Sequence, residues 1–334
     1  MSPSQSTSEH RRALLALFGV TIVWGWTFVW MKQAIDQAVL TLGPDGEAAA
    51  RGLFLAIRFG VAALLLPIFL PSSRRRENWS LKLLLGGGGL GLLLLVGFLL
   101  QMTALATLSP AVSAFLTSLY VIFTAFLSLF SAKHRSISLS LLIGVVLATL
   151  GAAFISGPPQ VEFGLAEWLT VFSAFVFACS ILITDATTRR FAPAAVSLCS
   201  FAMVALGASL YMAWALLQEG APSFGQLATL LGEYDFWMPL ACCSILATLI
   251  ALSLLNHYQR MLSPVRAATI YALEPIWGAL ISALYGMEVL DGWLAVGASA
   301  LLVGNLIAEL GPKKRIKPLP AGDALSLFHG PGKE

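Results

Sequence analysis

Leu108-Ser109-Pro110 and Leu262-Ser263-Pro264 stand 154 residues apart, and each opens an apolar run of similar length. In both, the serine offers an N-cap oxygen and the proline takes the first helical position, where a missing N–H costs nothing. The helices that follow the two starts also correspond in length. A repeating unit with an odd number of membrane spans must enter the bilayer from the opposite side in its second copy. The recurrence therefore predicts inverted repeats about an axis in the membrane plane.

Composition sets the solvent in which this reading applies. The chain has 334 residues, 58% of them hydrophobic and only 11% charged, with mean hydropathy +0.83. So few charges cannot cover a water-soluble surface, and the apolar runs have the length of about 20 residues that crosses hydrocarbon as helix. Helices are expected near 13–34, 53–70, 82–102, 110–131, 137–156, 164–184, 194–217, 237–258, 264–286 and 292–310. The predicted fold is an all-α membrane protein of ten transmembrane helices, arranged as two inverted five-helix repeats around a central cavity. Residues 1–12 form an N-terminal tail, 13–156 the first repeat, 157–310 the second, and 311–334 a Pro- and Gly-containing tail expected to be disordered.

Loop charges test the number of spans, because Lys and Arg collect on the cytoplasmic side. One side receives Arg11, Arg12, Arg74, Arg75, Arg76, Lys82, Lys133, Arg135, Arg189, Arg190, Arg260 and the tail cluster Lys313, Lys314, Arg315 and Lys317. The other receives Asp36, Asp45, Glu47, Glu162, Glu167, Glu219, Glu233, Asp235, Glu288 and Asp291, with Lys32 and Arg51 as its bases. This alternation places both termini in the cytoplasm and the chain in the plasma (inner) membrane. The net charge of +3 then reflects topology signals and gives no reason to expect nucleic acid. Arg11 and Arg12 before an apolar run resemble a signal peptide, but that run continues to about Ile35 without a small-residue cleavage site, so it reads as a retained span. Cys179, Cys199, Cys242 and Cys243 all lie in apolar runs, where they read as packing residues. The run Gly86-Gly87-Gly88-Gly89-Leu90-Gly91 lacks the Lys-Ser/Thr of a phosphate loop and reads as close helix packing through Gly87 and Gly91. No cofactor or metal is expected.

The offset of 154 also pairs side chains. Ser113, Thr117, Tyr120, Thr124 and Ser128 recur at steps of three and four, and their counterparts are Ala267, Tyr271, Glu274, Gly278 and Ser282. Two symmetry-related helices with polar or small faces either line a shared cavity or pack closely through those faces. Glu274 lies about ten residues into its span, roughly 15 Å deep, where an ionised carboxylate needs a partner or water. Pro275 after it frees the carbonyl of Tyr271 and predicts a kink. Such a site could bind an amine, a sugar hydroxyl or a proton, or hold a protonated carboxyl for structural reasons. Arg58 either reaches Glu274 or snorkels to the interface. Trp24 and Trp277 are deep enough to wall a cavity, whereas Trp30 belongs to an interfacial belt. His257 and Gln101, near helix ends, remain ambiguous.

Several motifs resemble EamA-type members of the drug/metabolite transporter superfamily. They are Val23-Trp24-Gly25-Trp26-Thr27-Phe28 with Lys32, Ile57-Arg58-Phe59, Ala114-Phe115-Leu116-Thr117-Ser118-Leu119-Tyr120, and Ala272-Leu273-Glu274-Pro275-Ile276-Trp277 with Gly286-Met287-Glu288. The likeness covers roughly residues 13–310. It implies ten helices, a cavity between the repeats, and transport of metabolites such as amino acids, nucleosides or small xenobiotics. Two departures stand out: Val121 where the family often has proline, and Ala132-Lys133-His134 where it often has a Gly-Glu pair. The first departure predicts a less kinked fourth helix.

The function expected is a secondary transporter that moves a small organic solute by alternating access, with export favoured. The candidate site comprises Trp24, Arg58, Thr117, Tyr120, Tyr271, Glu274 and Trp277. Glu274 would bind a cationic group or carry a coupling proton. The partners expected are the solute and the lipid bilayer; the sequence leaves the oligomeric state open. A membrane-embedded enzyme would need a cluster of acid, base or metal ligands within the spans, and a channel would need a charge ring or filter loop.

Overall fold

The computed structural model describes residues 3–75, 79–128, 139–154, 163–262, 267, 270, 271 and 273–310. Among these the chain is helical, without strands. Ser263 and Pro264, the second helix start, lie outside the described residues, as do Lys133, His134, Arg266 and the tail after Leu310.

Helix α1, Pro3–Leu42, is longer than expected at both ends and takes in the stretch assigned to an N-terminal tail. No proline follows Pro3 until Pro44, so nothing in the backbone stops it before Gly43, whose φ of 75° ends the helix. Helix α2, Glu47–Phe69, starts a turn and a half early because Glu47 and Arg51 close an i,i+4 salt bridge of 2.8 Å in its first turn. Helix α3, Leu81–Leu105, is capped by Ser80, whose hydroxyl accepts from Leu83 N at 3.2 Å. The cap read at Ser109 is present too, accepting from Val112 N at 3.3 Å with Pro110 as the first helical residue.

The fourth expected helix is broken, contrary to the expectation drawn from Val121. It consists of α4, Pro110–Thr117, and α5, Tyr120–Ser128. Leu119 N bonds Leu116 O at 3.2 Å, a tight turn in place of α-helical geometry. The amide of Asn305 donates to the carbonyl and hydroxyl of Ser118 at 3.4 and 3.2 Å, so a side chain from the last helix holds the break that proline would otherwise make. The equivalent bond 154 residues later, Leu273 N to Ile270 O at 3.1 Å, interrupts the chain just before Glu274.

Helices α6, Leu139–Phe154, α7, Leu165–Thr188, and α8, Pro193–Ala215, follow. A short helix, α9, Phe224–Gly232, was not anticipated; its capping box, Ser223 with Gln226, is a sequence signal that could have revealed it. The expected eighth helix changes pitch along its length: α10, Tyr234–Cys242, passes into a π-helix, Cys243–Leu252, and then into α11, Ser253–Tyr258. Thr248 donates to Cys243 O, five residues back, at 2.9 Å. Helix α12, Glu274–Leu284, and helix α13, Gly292–Leu310, complete the chain.

Among the described residues, seven helical stretches, counting α4 with α5 and α10 with the π-helix and α11, are long and apolar enough to cross a membrane. Large apolar side chains such as Leu64, Leu165 and Leu284 point outward, as a protein dissolved in lipid requires. The principal packing pairs are α2 with α8, α3 with α7 and α8, α6 with α13, and α1 with α10, the π-helix and α12. Several of these contacts bring backbones together: a Cβ on Gly91 would lie 2.6 Å from Ser200 O, and one on Gly151 would lie 2.5 Å from Leu301 N. Gly87 meets Cys199 in the same manner, so Gly87 and Gly91 act as the packing glycines the sequence suggested. All four cysteines are free.

Candidate functional site

The helix breaks put Tyr120 at the start of α5 and Glu274 at the start of α12. Pro275 is therefore the first-turn proline of a new helix, a correction to the mid-helix kink expected of it. Glu274 gains from this position, since a helix N-terminus favours a carboxyl group. It is 7% exposed, and its Oε2 accepts from Tyr120 Oη at 3.2 Å.

Both residues border a cavity lined by α1, α2, α3, α4, α5, α7, α8, α11 and the segment around Tyr271. Its walls are largely aromatic and aliphatic, including Trp24, Phe98, Phe177, Phe201, Leu94 and Leu252. Polar groups enter at a few points, as in small-molecule sites generally. Gln101 Nε2 donates to Thr117 Oγ1 at 3.3 Å, and Tyr271 Oη donates to Gln259 Oε1 at 3.2 Å. Thr117 and Tyr271 are themselves 154 residues apart, so each half of the chain presents a glutamine to the corresponding position of its broken helix. Gln259 is fixed from behind by Ile181 O at 2.8 Å. Asn256 is held by Ser197 Oγ at 2.8 Å. The indole of Trp24 donates to Ala247 O at 3.3 Å and leans on the Tyr271 ring at 5.6 Å between centroids.

Arg58 neither reaches Glu274 nor snorkels. It is 1% exposed, and its Nε donates to Thr248 Oγ1 at 2.7 Å. Its Nη1 meets Met31 Sδ at 3.6 Å, and its guanidinium carbon lies 4.6 Å from the Phe98 ring centroid and 5.4 Å from that of Phe59. The π-helix accounts for this arrangement, since the wide turn lets Thr248 give its hydrogen to Cys243 O while its oxygen receives Arg58.

Of the seven residues singled out from sequence, Trp24, Arg58, Thr117, Tyr120, Tyr271 and Glu274 border the cavity, and Trp277 does not. Three residues beyond Glu274 on α12, Trp277 has turned about 300° around the axis. It packs on α1 instead, donating to Thr21 Oγ1 at 3.2 Å with its ring edge-on to Phe18. Nor does the polar stripe of the fourth helix face one way, because the break rotates it. Ser113 and Thr124 are buried away from the cavity with hydroxyls that have no partner among the described residues. Trp30, expected in an interfacial belt, is 7% exposed and packs beside Trp26. His257 is exposed and stacks edge-on against Tyr258. Sequence reasoning missed Phe177, Ser180, Ile181 and Thr184 on α7, whose spacing of three, one and three residues is a single helical face. Among the described residues no cluster of His, Cys, Asp or Glu could hold a metal ion.

An all-helical membrane protein with broken helices meeting at a mostly apolar cavity is the class that fold and site define. Residues 11–157 match the EamA-like transporter family. A protein of Archaeoglobus fulgidus described as an uncharacterized transporter is 26% identical over 315 residues, which cover 92% of this chain and 89% of that one. A solved crystal structure superposes with a TM-score of 0.57 at 17% identity, covering 87% of this chain and 96% of the other, which is a likeness of fold. Over residues 11–157 the chain is thus similar to EamA-type transporters, and over most of its length to a protein described as a transporter.

Proposed function

We propose that this protein is a secondary transporter of a small organic solute, an amino acid, nucleoside or small xenobiotic, with export as the favoured direction. The solute binds in the cavity between the two broken helices, at Trp24, Arg58, Thr117, Tyr120, Tyr271 and Glu274. The observation that carries this reading is the meeting of Tyr120 and Glu274 at the wall of a mostly apolar cavity. Half-helix termini directed at a central site are the form in which membrane carriers hold a solute.

Ten spans in two inverted repeats, 13–156 and 157–310, are part of the same reading. The packing supports it, because shifting residue numbers by 154 exchanges contacts with contacts. The pair α3 with α7 becomes α10 and the π-helix with α1, the pair α5 with α7 becomes α12 with α1, and the pair α6 with α13 returns to itself.

Two further contacts support alternating access. Lys32 Nζ bonds Ala106 O at 2.9 Å while paired with Asp36 at 3.0 Å. Arg189 Nη2 bonds Leu262 O at 3.0 Å while its Nε bonds Asp185 at 2.7 Å. Each is a cation on a helix that opens one half of the chain. Each is held by a carboxylate one turn away, and each ties down the loop before that half's broken helix. With both termini cytoplasmic in the plasma membrane, the Lys32 tie faces outward and the Arg189 tie inward. Glu274 carries a coupling proton or meets a cationic group of the solute as the two halves rock.

Proteoliposomes holding the full chain, loaded with a labelled mixture of amino acids, nucleosides and cationic dyes, provide the test. Saturable efflux of one class, reduced in Glu274→Gln and stripped of its pH dependence, is the expected result. Sustained single-channel current, or no movement of any solute class, would overturn the reading.

A further inference from the structure

Arg58 is a buried charge that the carrier reading leaves without a counter-ion. Its side chain reaches the cavity from α2 and is 1% exposed. No carboxylate lies within 4 Å of it among the described residues, and it takes no part in the ion pairs Lys32 with Asp36, Arg51 with Glu47 and Arg189 with Asp185. Every group that touches it is neutral. Thr248 receives the Nε hydrogen, Met31 offers a thioether to Nη1, and the rings of Phe98 and Phe59 face the guanidinium. Nη2 has no hydrogen bond among the described residues.

These contacts orient the guanidinium without neutralising it. Thr248 is already committed to Cys243 O as a donor, so its oxygen serves as a fixed acceptor. Phe98 sits against one side of the planar group, which limits its rotation. A cation taken this far out of water is stable only if paired or wetted. Glu274 shares the cavity, but its hydrogen-bond partner is Tyr120 and no ion pair joins it to Arg58. The remaining source of negative charge is whatever enters the cavity. A planar guanidinium with unengaged N–H groups matches a carboxylate in shape as well as charge.

Resting on the carrier reading above, we propose that the solute is an organic carboxylate. Arg58 holds the carboxylate group, and the apolar or aromatic body lies along Trp24, Phe98 and Phe177. Thr248 and Phe98 are positioning residues for Arg58. Neutral nucleosides and cationic dyes are not carried, and an amine on the solute is not required.

The test is a matched series on the purified full chain in detergent and in proteoliposomes: 3-phenylpropionate, 3-phenylpropanol and 3-phenylpropylamine. The wild type should bind and transport the carboxylate about tenfold or more better than the alcohol or the amine, the size expected of a hydrogen-bonded charge pair. Arg58→Gln should lose that preference and treat carboxylate and alcohol alike, while Arg58→Lys keeps part of it. Should Arg58→Gln fail to fold, the wild-type series alone decides. Equal or better handling of the alcohol or amine sinks the carboxylate assignment and leaves the carrier standing. Failure of the protein to bind or move any of the three, or any amino acid, nucleoside or dye, removes the carrier reading and this one with it.

Discussion

Tyr120 donates its phenolic hydrogen to Glu274 Oε2 at 3.2 Å, and the two residues are separated by 154 positions, the same offset that separates the two Leu-Ser-Pro helix starts. Each of these two residues also opens the second segment of a broken helix.

Tyr120→Phe removes the hydroxyl and keeps the ring. The buried carboxyl of Glu274 then loses its donor, at a cost of about 1–3 kcal/mol. Transport should fall roughly tenfold, with the melting temperature of the detergent-solubilised protein shifted by only a few degrees. Unchanged transport kinetics would show that the contact has no part in the site.

The contact between α1 and α12 has no space for a side chain at Gly25, where a Cβ would lie 2.4 Å from Trp277 Cβ and 2.9 Å from Gly278 N. Gly25→Ala should destabilise the fold by about 1–3 kcal/mol, and Gly25→Leu by more. Thermal unfolding monitored by fluorescence would detect it. A neutral Gly25→Leu would contradict the packing described.

Asn305 holds open the break between α4 and α5 through Ser118. Asn305→Leu leaves the Ser118 groups without that donor and should cost about 1–3 kcal/mol. Because Tyr120 follows the break directly, the variant should also lower transport. Full activity together with full stability would show that the local turn at Leu119 suffices.

The ties of Lys32 and Arg189 yield a prediction with opposite signs. With the four native cysteines replaced and Thr27→Cys or Thr184→Cys introduced at the cavity wall, Lys32→Met should raise labelling by an impermeant maleimide from outside. Arg189→Met should raise it from inside. Shifts in the same direction for both variants would rule out ties on opposing faces.

The sequence was informative about these features to unequal degrees. The break before Glu274 was partly visible in Pro275, although a proline reads equally well as a kink or a helix start until the neighbouring turn is known. The break after Thr117 was invisible, and Val121 suggested a less kinked helix there, because the side chain that holds the break, Asn305, lies 187 residues from Ser118. Thr248 gave no signal either, since its role depends on a π-turn that offers its oxygen to Arg58.

What the sequence by itself determined follows from local rules. Apolar runs of spanning length, the cap at Ser109, packing glycines at Gly87 and Gly91, and the recurrence at 154 are all functions of residue type and spacing, which hydrophobicity and helical periodicity convert into structure without reference to distant neighbours. Only the tertiary structure decided which polar side chains meet. Rotation about a helix axis, set by a break or a change of pitch, sends Thr117 to the cavity and Thr124 away from it. It also gives Arg58 a threonine where the sequence offered a glutamate or the interface. Those rotations come from contacts between residues far apart in the chain, and no local pattern encodes them.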